Sequence, residues 1–255
     1  MSEKASVPVV HMPLAVDIAS SKDERHKGQD SEHYTRRDFG LADDQTVFLF
    51  TFDFSSRVRR KNPQGVIEAF RRAFPADRRD VALVLKSKTV DSVPEQVEDA
   101  RTVAEIARRD RRVRLINETW PRRKVLDLIA CCDVYVSLHR AEGFGLGMAE
   151  AMQFGKPVIA TDYSGNTDFT HPDNACLVGF ELIDVEPGEN YDLEGSSVWA
   201  EPDIDEAADH MRFLARDREA RRRLGDRGRR YIEELHSPRT IGERYRQRLE
   251  RIGLL

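Results

Sequence analysis

The sequence predicts an α/β protein built on a doubly wound, Rossmann-like parallel sheet, with additional helices at the C-terminal end. Several runs of strand length are apolar at nearly every position, such as TVFLFTF at 46–52 and VALVLKS at 81–87. Strands of this kind are typical of a sheet that is covered on both faces. Segments with helical spacing of apolar residues separate these runs, which is the pattern of a parallel sheet with crossover helices. From about residue 203 onward the chain is charged and mostly helical in pattern.

Each element follows from a local signal. The helix after the first strand begins at Asn62-Pro63, because asparagine caps helices well and proline is favoured at the first helical position. Apolar residues then recur at helical spacing, at Val66, Ile67, Phe70 and Phe74. The remaining strands are predicted at 113–117, 133–139, 157–161 and 175–179. The remaining helices are predicted at 93–109, 121–132, 146–154 and, at the end of the chain, 238–252.

We divide the chain into three segments. Residues 1–45 form a linker-like segment, in which the apolar stretch VPVVHMPLAVDIA is followed by the polar stretch SSKDERHKGQDSEHYTRRD. The polar stretch has too little apolar content to hold a core. Residues 46–200 form the Rossmann-like domain, and residues 201–255 form a helical tail that we expect to pack on it.

The composition excludes several classes of function. The 255 residues carry a formal net charge of -4, so no overall basic field favours nucleic acid. Basic runs at 108–114 and 221–230 alternate with acidic residues and are interpreted as solvated helical faces. The three cysteines and seven histidines show no metal-ligand spacing, so we expect reduced thiols and no metal. No apolar run reaches the roughly 18 residues of a transmembrane span, and no signal-peptide core is present, which favours a cytoplasmic protein.

The stretch HRAEGFGLGMAEAMQFG at 139–155 is the strongest candidate site. Ligands of such sheets bind beyond the carboxyl ends of the strands. The glycines between Glu142 and Glu150 allow the backbone to approach a ligand, and the first amides of the following helix favour an anion. Glu150 lies one turn into that helix, where its carboxylate can accept hydrogen bonds from vicinal hydroxyls. The pattern predicts a nucleotide sugar; the alternative is an exposed glutamate on a surface helix after a flexible loop.

A second candidate for anion binding is SSRVRRKNP at 55–63. Arg60 and Lys61 directly precede a helix N-terminus, which makes a diphosphate site plausible, although a solvated basic loop is an equal alternative. Lys86 ends a strand at the same sheet edge and is either a phosphate contact or a surface lysine. Asp203-Ile204-Asp205 matches a metal-binding pattern but is better interpreted as a helix-capping cluster. There is no GxGxxG or Walker loop, so an ordinary dinucleotide or ATP site is not supported.

Two stretches of the sequence resemble motifs of a known enzyme family. EGFGLGMAEAM, followed by QFGKPVIATDYSGNTDF, resembles the Glu-x7-Glu region of family 4 (group 1) glycosyltransferases, which are retaining enzymes of the GT-B fold. FDFSSRVRRKNPQGVIEAF is similar to the phosphate-binding loop of the subgroup that reads RKNP. VVHMPLAVD and TRRDFGL resemble the linker that enters the second domain of that fold. The chain therefore resembles the C-terminal, donor-binding half of such an enzyme over residues 7–253, and 46–200 becomes its nucleotide-sugar binding domain.

The resemblance implies roles for individual residues. Glu142 would contact the donor sugar near its reactive centre, and Glu150 would contact the ribose hydroxyls. Lys61, with Arg60 beside it, would stabilise the diphosphate as charge develops on the leaving group. Many members carry an arginine five or six residues before this lysine, where the present chain has serines, so Arg57 or Arg60 is the candidate replacement. The other residues implied to bind the donor are His139, Gly143, Phe144, Gly145, Leu146 and, for the base, the turn around Asn117.

By the same resemblance, we expect the donor-binding half of a retaining glycosyltransferase that transfers a hexosyl group from a UDP- or GDP-linked sugar without a cofactor. Its acceptor domain would be absent from this chain. The alternative is a non-catalytic nucleotide-sugar binding module, or an inactive fragment that needs a partner chain. The helix 238–252 and the segment 5–17 are expected to expose apolar surface, which predicts an oligomer or a bound partner. A lipid-linked acceptor would place the protein at the membrane periphery.

Overall fold

The central element is a six-stranded, all-parallel sheet with the strand order β3-β2-β1-β4-β5-β6. The computed structural model describes residues 9–18, 33–88, 94–185 and 197–255. The strands are β1 Thr46–Thr51, β2 Val81–Ser87, β3 Val113–Asn117, β4 Val134–Ser137, β5 Val158–Thr161 and β6 Cys176–Val178. All six predicted strands are present, and the predicted doubly wound Rossmann-like sheet is confirmed.

Helices connect these strands and continue to the end of the chain. They are α1 Val58–Lys61, α2 Pro63–Ala73, α3 Pro94–Arg108, α4 Arg122–Cys131, α5 Leu146–Gln153, α6 Ile204–Arg216, α7 Arg218–Leu235 and α8 Pro238–Arg251. The predicted start of α2 is confirmed, because the side chain of Asn62 accepts a hydrogen bond from the amide of Gly65 at 3.0 Å. The predicted cap of α6 is also confirmed, since Asp203 accepts from the amides of Asp205 and Glu206.

The sheet has a hydrophobic core on each face. Alternate residues of β1 point to opposite faces, so Phe48 lies in one core and Leu49 in the other. The first core is completed by α2, α3 and α6, and the second by α4, α5 and α7. This two-sided burial explains why the strand sequences are apolar along their whole length.

Part of the linker-like segment belongs to the second core. Val16, Phe39 and Leu41 are buried there, and the amide of Val16 donates to the carbonyl of His236 at 2.8 Å. The described parts of the segment therefore pack on the domain. Residues 19–32, which contain most of the predicted polar stretch, lie outside the described residues. The proposed boundaries at 45 and 200 stay predictions.

A two-stranded antiparallel ribbon was missed by the sequence analysis. It consists of β7 Phe180–Asp184 and β8 Val198–Pro202. Most of β7 is exposed, so its sequence lacks the apolar run that marked the strands of the main sheet. The ribbon is joined to the loop after β4, because the amide of Ala200 donates to the carbonyl of Arg140 at 2.9 Å.

The basic run 108–114, which we interpreted as a solvated helical face, contains a buried arginine, and the interpretation is wrong there. The arginines of the run 221–230 are exposed or half-buried, as interpreted, but the same run has buried glycines. Arg112 is only 6% exposed and donates to the carboxylate of Asp110 and to the carbonyl of Pro75. Gly225 on α7 is also buried, and a Cβ at this position would lie 1.9 Å from the carbonyl oxygen of Gly155. Charge pattern alone did not reveal these contacts, because each depends on a distant part of the chain.

The ends of the chain carry apolar side chains that remain exposed. Those on the N-terminal segment and near α8 are Val9, Val10, Leu14, Tyr245, Ile252, Leu254 and Leu255. This agrees with the predicted exposure over the described residues, while the oligomer or partner that we expect there stays a prediction. Within the described part of the chain, no helix is both long enough and apolar enough to span a membrane.

Candidate functional site

The candidate site lies where the strand order reverses, between β1 and β4. Chain connections leave these adjacent strands toward opposite sides, so the loops that follow them border one crevice. A cavity of about 420 Å³ lies beside this point. It is lined by Thr51, Phe52, Asp53, Ser56, Lys61, Lys86, Ser87, Lys88, Glu118, Trp120, Arg122 and Val125.

The loops after β1 and β4 are bonded to each other. The amide of Arg140 donates to the carbonyl of Arg60 at 2.8 Å, and the guanidinium of Arg60 donates to the carbonyl of Ala141 at 2.7 Å. The side-chain amide of Asn62 donates to the carbonyl of Leu138 at 2.9 Å. The two sequence stretches that we selected separately therefore form one structural unit. Within it, Arg60 faces a backbone carbonyl.

Lys61 and Glu142 form an ion pair across these two loops. The two side chains are only 14% and 17% exposed. Burial alone would raise the pKa of Glu142, but the ammonium of Lys61, with a smaller contribution from Arg60, acts against burial, and the pKa lies below its usual range. Lys61, Arg60 and Glu142 are the residues that we predict to be catalytic. The structure brings Lys61 and Glu142 together and favours the ionised carboxylate.

The loop of residues 142–147, called the glycine loop below, leads into α5, and several of its backbone amides have no acceptor among the described residues. Gly145 has a φ of 94°, in the left-handed region that favours glycine, and no side chain caps the helix. Among the described residues, no protein group accepts from the amides of 144–147. Gly147 allows the helix to pack closely, since a Cβ there would lie 2.3 Å from the hydroxyl of Tyr135. The start of α5 therefore offers a row of donors to an anion.

Glu150 is almost fully buried and is held by a residue that the sequence analysis missed. Both terminal nitrogens of Arg122 bond its carboxylate, with Nη1 3.1 Å from Oε2. The Glu150 side chain is 4% exposed and that of Arg122 is 45% exposed. Burial raises the pKa of Glu150 above its usual range, although Arg122 acts in the opposite direction. No local pattern connects two residues that are 28 positions apart.

His139 lies beneath the glycine loop and is fully buried. Its Nδ1 is 2.9 Å from the hydroxyl of Ser137, and its Nε2 is 2.9 Å from the side-chain oxygen of Asn166. Burial lowers the pKa of His139, which favours the neutral ring. Protein groups thus occupy both ring nitrogens, and His139 fixes the turn that contains Asn166. Its contact with the donor stays a prediction.

Ser164 and Gly165 hold the backbone of Glu142, which the sequence analysis did not anticipate. The hydroxyl of Ser164 accepts from the amide of Glu142 at 2.8 Å, and the amide of Gly165 donates to the carbonyl of Glu142 at 3.0 Å. Ser164 adopts a φ of 70° to make this contact. A Cβ at Gly165 would lie 2.2 Å from the carbonyl oxygen of Gly143. The tight turn after β5 therefore sets the position of the glycine loop.

The far end of the cavity contains a buried cation beside an aromatic ring. Lys86 is 5% exposed, so the surface-lysine alternative is wrong. Its ammonium donates to the carbonyls of Ser87 at 2.8 Å and Glu118 at 2.6 Å, and it lies 4.8 Å from the ring of Trp120. Burial lowers the pKa of Lys86. Asn117, whose turn was expected to receive a base, is exposed at the end of β3 next to this group.

Arg57 and Arg140 are not among the residues that line the cavity. Arg57 is exposed and precedes α1 with a φ of 53°. Arg140 donates to both carboxylate oxygens of Glu201 on β8, at 2.5 and 2.8 Å, and to the carbonyl of Arg59 at 2.5 Å. The ribbon is therefore anchored to both site loops through one arginine.

Comparisons with known proteins identify the family of the chain. A profile of the family described as Glycosyl transferases group 1 matches residues 34–181, more than half of the chain. The uncharacterized glycosyltransferase YqgM of Bacillus subtilis (strain 168) is 29% identical over 132 residues, which are 51% of this chain and 31% of YqgM. The chain thus spans about a third of the length of this curated relative.

Solved structures show the same fold. The crystal structure of HepE from Anabaena in complex with UDP and glucose matches with a TM-score of 0.63 and 19% identity, over 84% of this chain and 50% of that one. The C-terminal domain of LpcC, a group 1 family glycosyl transferase of Francisella tularensis, matches with a TM-score of 0.58 and 19% identity, over 76% of this chain and 88% of that one. The predicted half of a GT-B fold is confirmed. Given this fold and a family match over more than half of its length, the chain belongs to the group 1 family of glycosyl transferases.

Proposed function

We propose that the crevice binds a nucleotide-diphosphate sugar and that the chain is the donor-binding half of a retaining glycosyltransferase. The observation that carries the proposal is the juxtaposition of the unused amides at the start of α5 with the Lys61–Glu142 pair. Amides and a lysine favour a diphosphate, and an ionised carboxylate beside them favours sugar hydroxyls. The complexes of HepE with UDP and with UDP-glucose support a nucleotide sugar as the ligand.

The parts of the donor are assigned by chemistry. The amides of 144–147 and the ammonium of Lys61 hold the diphosphate. The carboxylate of Glu150 accepts from the ribose hydroxyls, and that of Glu142 lies toward the sugar. The base lies toward Lys86 and the turn around Asn117, where the cavity continues.

Transfer follows from these positions. The bond between the anomeric carbon and the diphosphate breaks, and the negative charge on the departing diphosphate is stabilised by Lys61 and the amides. An acceptor hydroxyl forms the new bond on the same face, with retention of configuration, and its proton passes to the departing diphosphate. The acceptor would be bound by another domain or chain.

A second candidate function is a nucleotide-sugar binding module that performs no transfer. It is favoured by the site itself, because each residue assigned above contacts the donor and none of them is assigned to an acceptor. Both candidates require the same donor site. They differ only in whether the bound sugar is transferred once an acceptor is supplied.

The proposal is tested by a thermal-shift and calorimetric panel of UDP, GDP, ADP and their common sugar conjugates. A ligand of the folded state raises the melting temperature by mass action. We expect one diphosphate to bind the wild type and to lose its effect in Glu150→Ala. Glu105→Ala, which removes an exposed carboxylate from α3, is the matched control and should bind as the wild type does. Absence of binding by every nucleotide would contradict both candidate functions.

A further inference from the structure

We propose that Arg122 supplies the second cation for the diphosphate of the donor, in addition to holding Glu150. This inference rests on the proposed function. It concerns the part of the basic loop where the resemblance implies an arginine and this chain has Ser55 and Ser56. The replacement comes from the start of α4, on a different connection of the sheet.

The arginines expected to fill this gap are placed elsewhere. The guanidinium of Arg60 donates to the carbonyl of Ala141 at 2.7 Å, within the protein. Arg57 is exposed and is not among the residues that line the cavity. Among the described residues that line the cavity, the basic loop contributes one cation, Lys61. The one arginine in that lining is Arg122.

The guanidinium of Arg122 has N–H donors that its contact with Glu150 does not use. A guanidinium carries five N–H donors in one plane, and the contact with Glu150 uses one from each terminal nitrogen. The side chain of Arg122 is 45% exposed, whereas that of Glu150 is 4% exposed. The carboxylate is therefore enclosed by the protein, while part of the guanidinium faces the cavity. A planar guanidinium with free N–H groups is well suited to phosphate oxygens.

The connectivity of a nucleotide places a phosphate near this group. If Glu150 accepts from the ribose hydroxyls, the α-phosphate lies one methylene group beyond the same ribose ring. A cation bonded to Glu150 is then close to that phosphate. One arginine would thus contact both the carboxylate that binds the ribose and the phosphate that follows it, opposite Lys61.

A comparison of a nucleoside with its diphosphate distinguishes a phosphate contact of Arg122 from a role in which Arg122 only holds Glu150. Uridine and UDP are titrated by NMR into wild type, Arg122→Ala, Arg122→Lys and Arg123→Ala; guanosine and GDP are used if the wild type prefers GDP. Arg123 is the matched control, because it is the next residue of α4 and pairs with the buried Asp127 at 3.0 Å. The quantity compared is the gain in affinity from the nucleoside to its diphosphate. If a variant weakens ribose binding by displacing Glu150, both ligands lose the same affinity, and this loss cancels in the gain.

We expect Arg122→Ala to reduce this gain by about tenfold, the size of one charged hydrogen bond. Arg122→Lys should restore part of it, and Arg123→Ala should leave it near the wild-type value. The same reduction should occur in a Glu150→Gln background, where Arg122 has no carboxylate to hold. An unchanged gain in Arg122→Ala would overturn the inference and leave Arg122 as a support for Glu150. Failure of the proposed function is read separately, as absence of diphosphate binding by the wild type.

Discussion

Lys61 and Glu142 are 81 positions apart in the chain, yet they form an ion pair whose side chains are 14% and 17% exposed. The pair joins the loop after β1 to the loop after β4. It therefore fixes the relative position of the two sequence stretches that we assign to the diphosphate and the sugar. Each partner satisfies the charge of the other.

Removal of the Lys61 ammonium should make the free energy of unfolding depend on pH between about pH 5 and pH 7. In the wild type the pKa of Glu142 lies below its ordinary value of 4.5, so its contribution is present at neutral pH and is lost only as pH falls through that lowered pKa. In Lys61→Met, the strongest of the effects that oppose burial is lost, so the pKa should rise. We expect a loss of about 2 kcal/mol in the free energy of unfolding near pH 7 that becomes smaller near pH 5.

Urea denaturation at the two pH values measures this difference. The double variant Lys61→Met/Glu142→Gln is the control, because it has no carboxylate to titrate and its deficit should not change with pH. A deficit of Lys61→Met that is equal at both pH values would contradict the assignment of the effect to Glu142.

Glu150 should be costly for stability and necessary for binding. Its pKa is raised because burial outweighs Arg122, so its ionised form is less favourable in the folded than in the unfolded chain. The stability contribution of this group therefore falls as pH rises from the ordinary value of 4.5 through the raised pKa. We expect Glu150→Gln to raise the melting temperature near pH 7 by about 2–4 °C, with no such gain near pH 4, and to weaken nucleotide binding. A lower melting temperature near pH 7, measured by scanning calorimetry, would refute this.

Two glycines at the site should differ sharply in their tolerance of a methyl group. A Cβ at Gly165 would lie 2.2 Å from the carbonyl oxygen of Gly143, whereas a Cβ at Gly143 would meet nothing within 4 Å. We expect Gly165→Ala to displace the glycine loop, to destabilise the fold by about 1–3 kcal/mol and to weaken nucleotide binding. Gly143→Ala is the control for stability and should melt within about 1 °C of the wild type. Equal melting temperatures of the two variants would show that the turn after β5 does not constrain the loop.

The position of α5 should depend on a glycine contact with α7. A Cβ at Gly225 would lie 1.9 Å from the carbonyl oxygen of Gly155, just beyond the end of α5. We expect Gly225→Ala to cost about 1–3 kcal/mol, because the two helices must separate. Gly242→Ala on α8 has open space around the new methyl group and should stabilise by about 0.5–1 kcal/mol through helix propensity. Denaturation curves in which Gly225→Ala is as stable as Gly242→Ala would contradict this packing.

Local signals account for what could be predicted. The strand runs, the Asn62 cap and the two glutamates are each visible within a few residues of sequence, and the parallel topology then brings the strand ends together. Arg122 and Ser164 could not be found in this way, because their partners Glu150 and Glu142 lie 28 and 22 positions away. The exposed strand β7 lacked an apolar run altogether.

The central claim is that a nucleotide diphosphate binds between the loop after β1 and the start of α5. Hydrogen–deuterium exchange of the wild type, with and without the diphosphate selected by the binding panel, tests it most directly. We expect binding to slow exchange of the amides in 143–149 and 57–62, since the first set would donate to the phosphates, and to leave α8 unchanged. Protection confined to other parts of the chain, with 143–149 exchanging as fast as in the free protein, would contradict the claim.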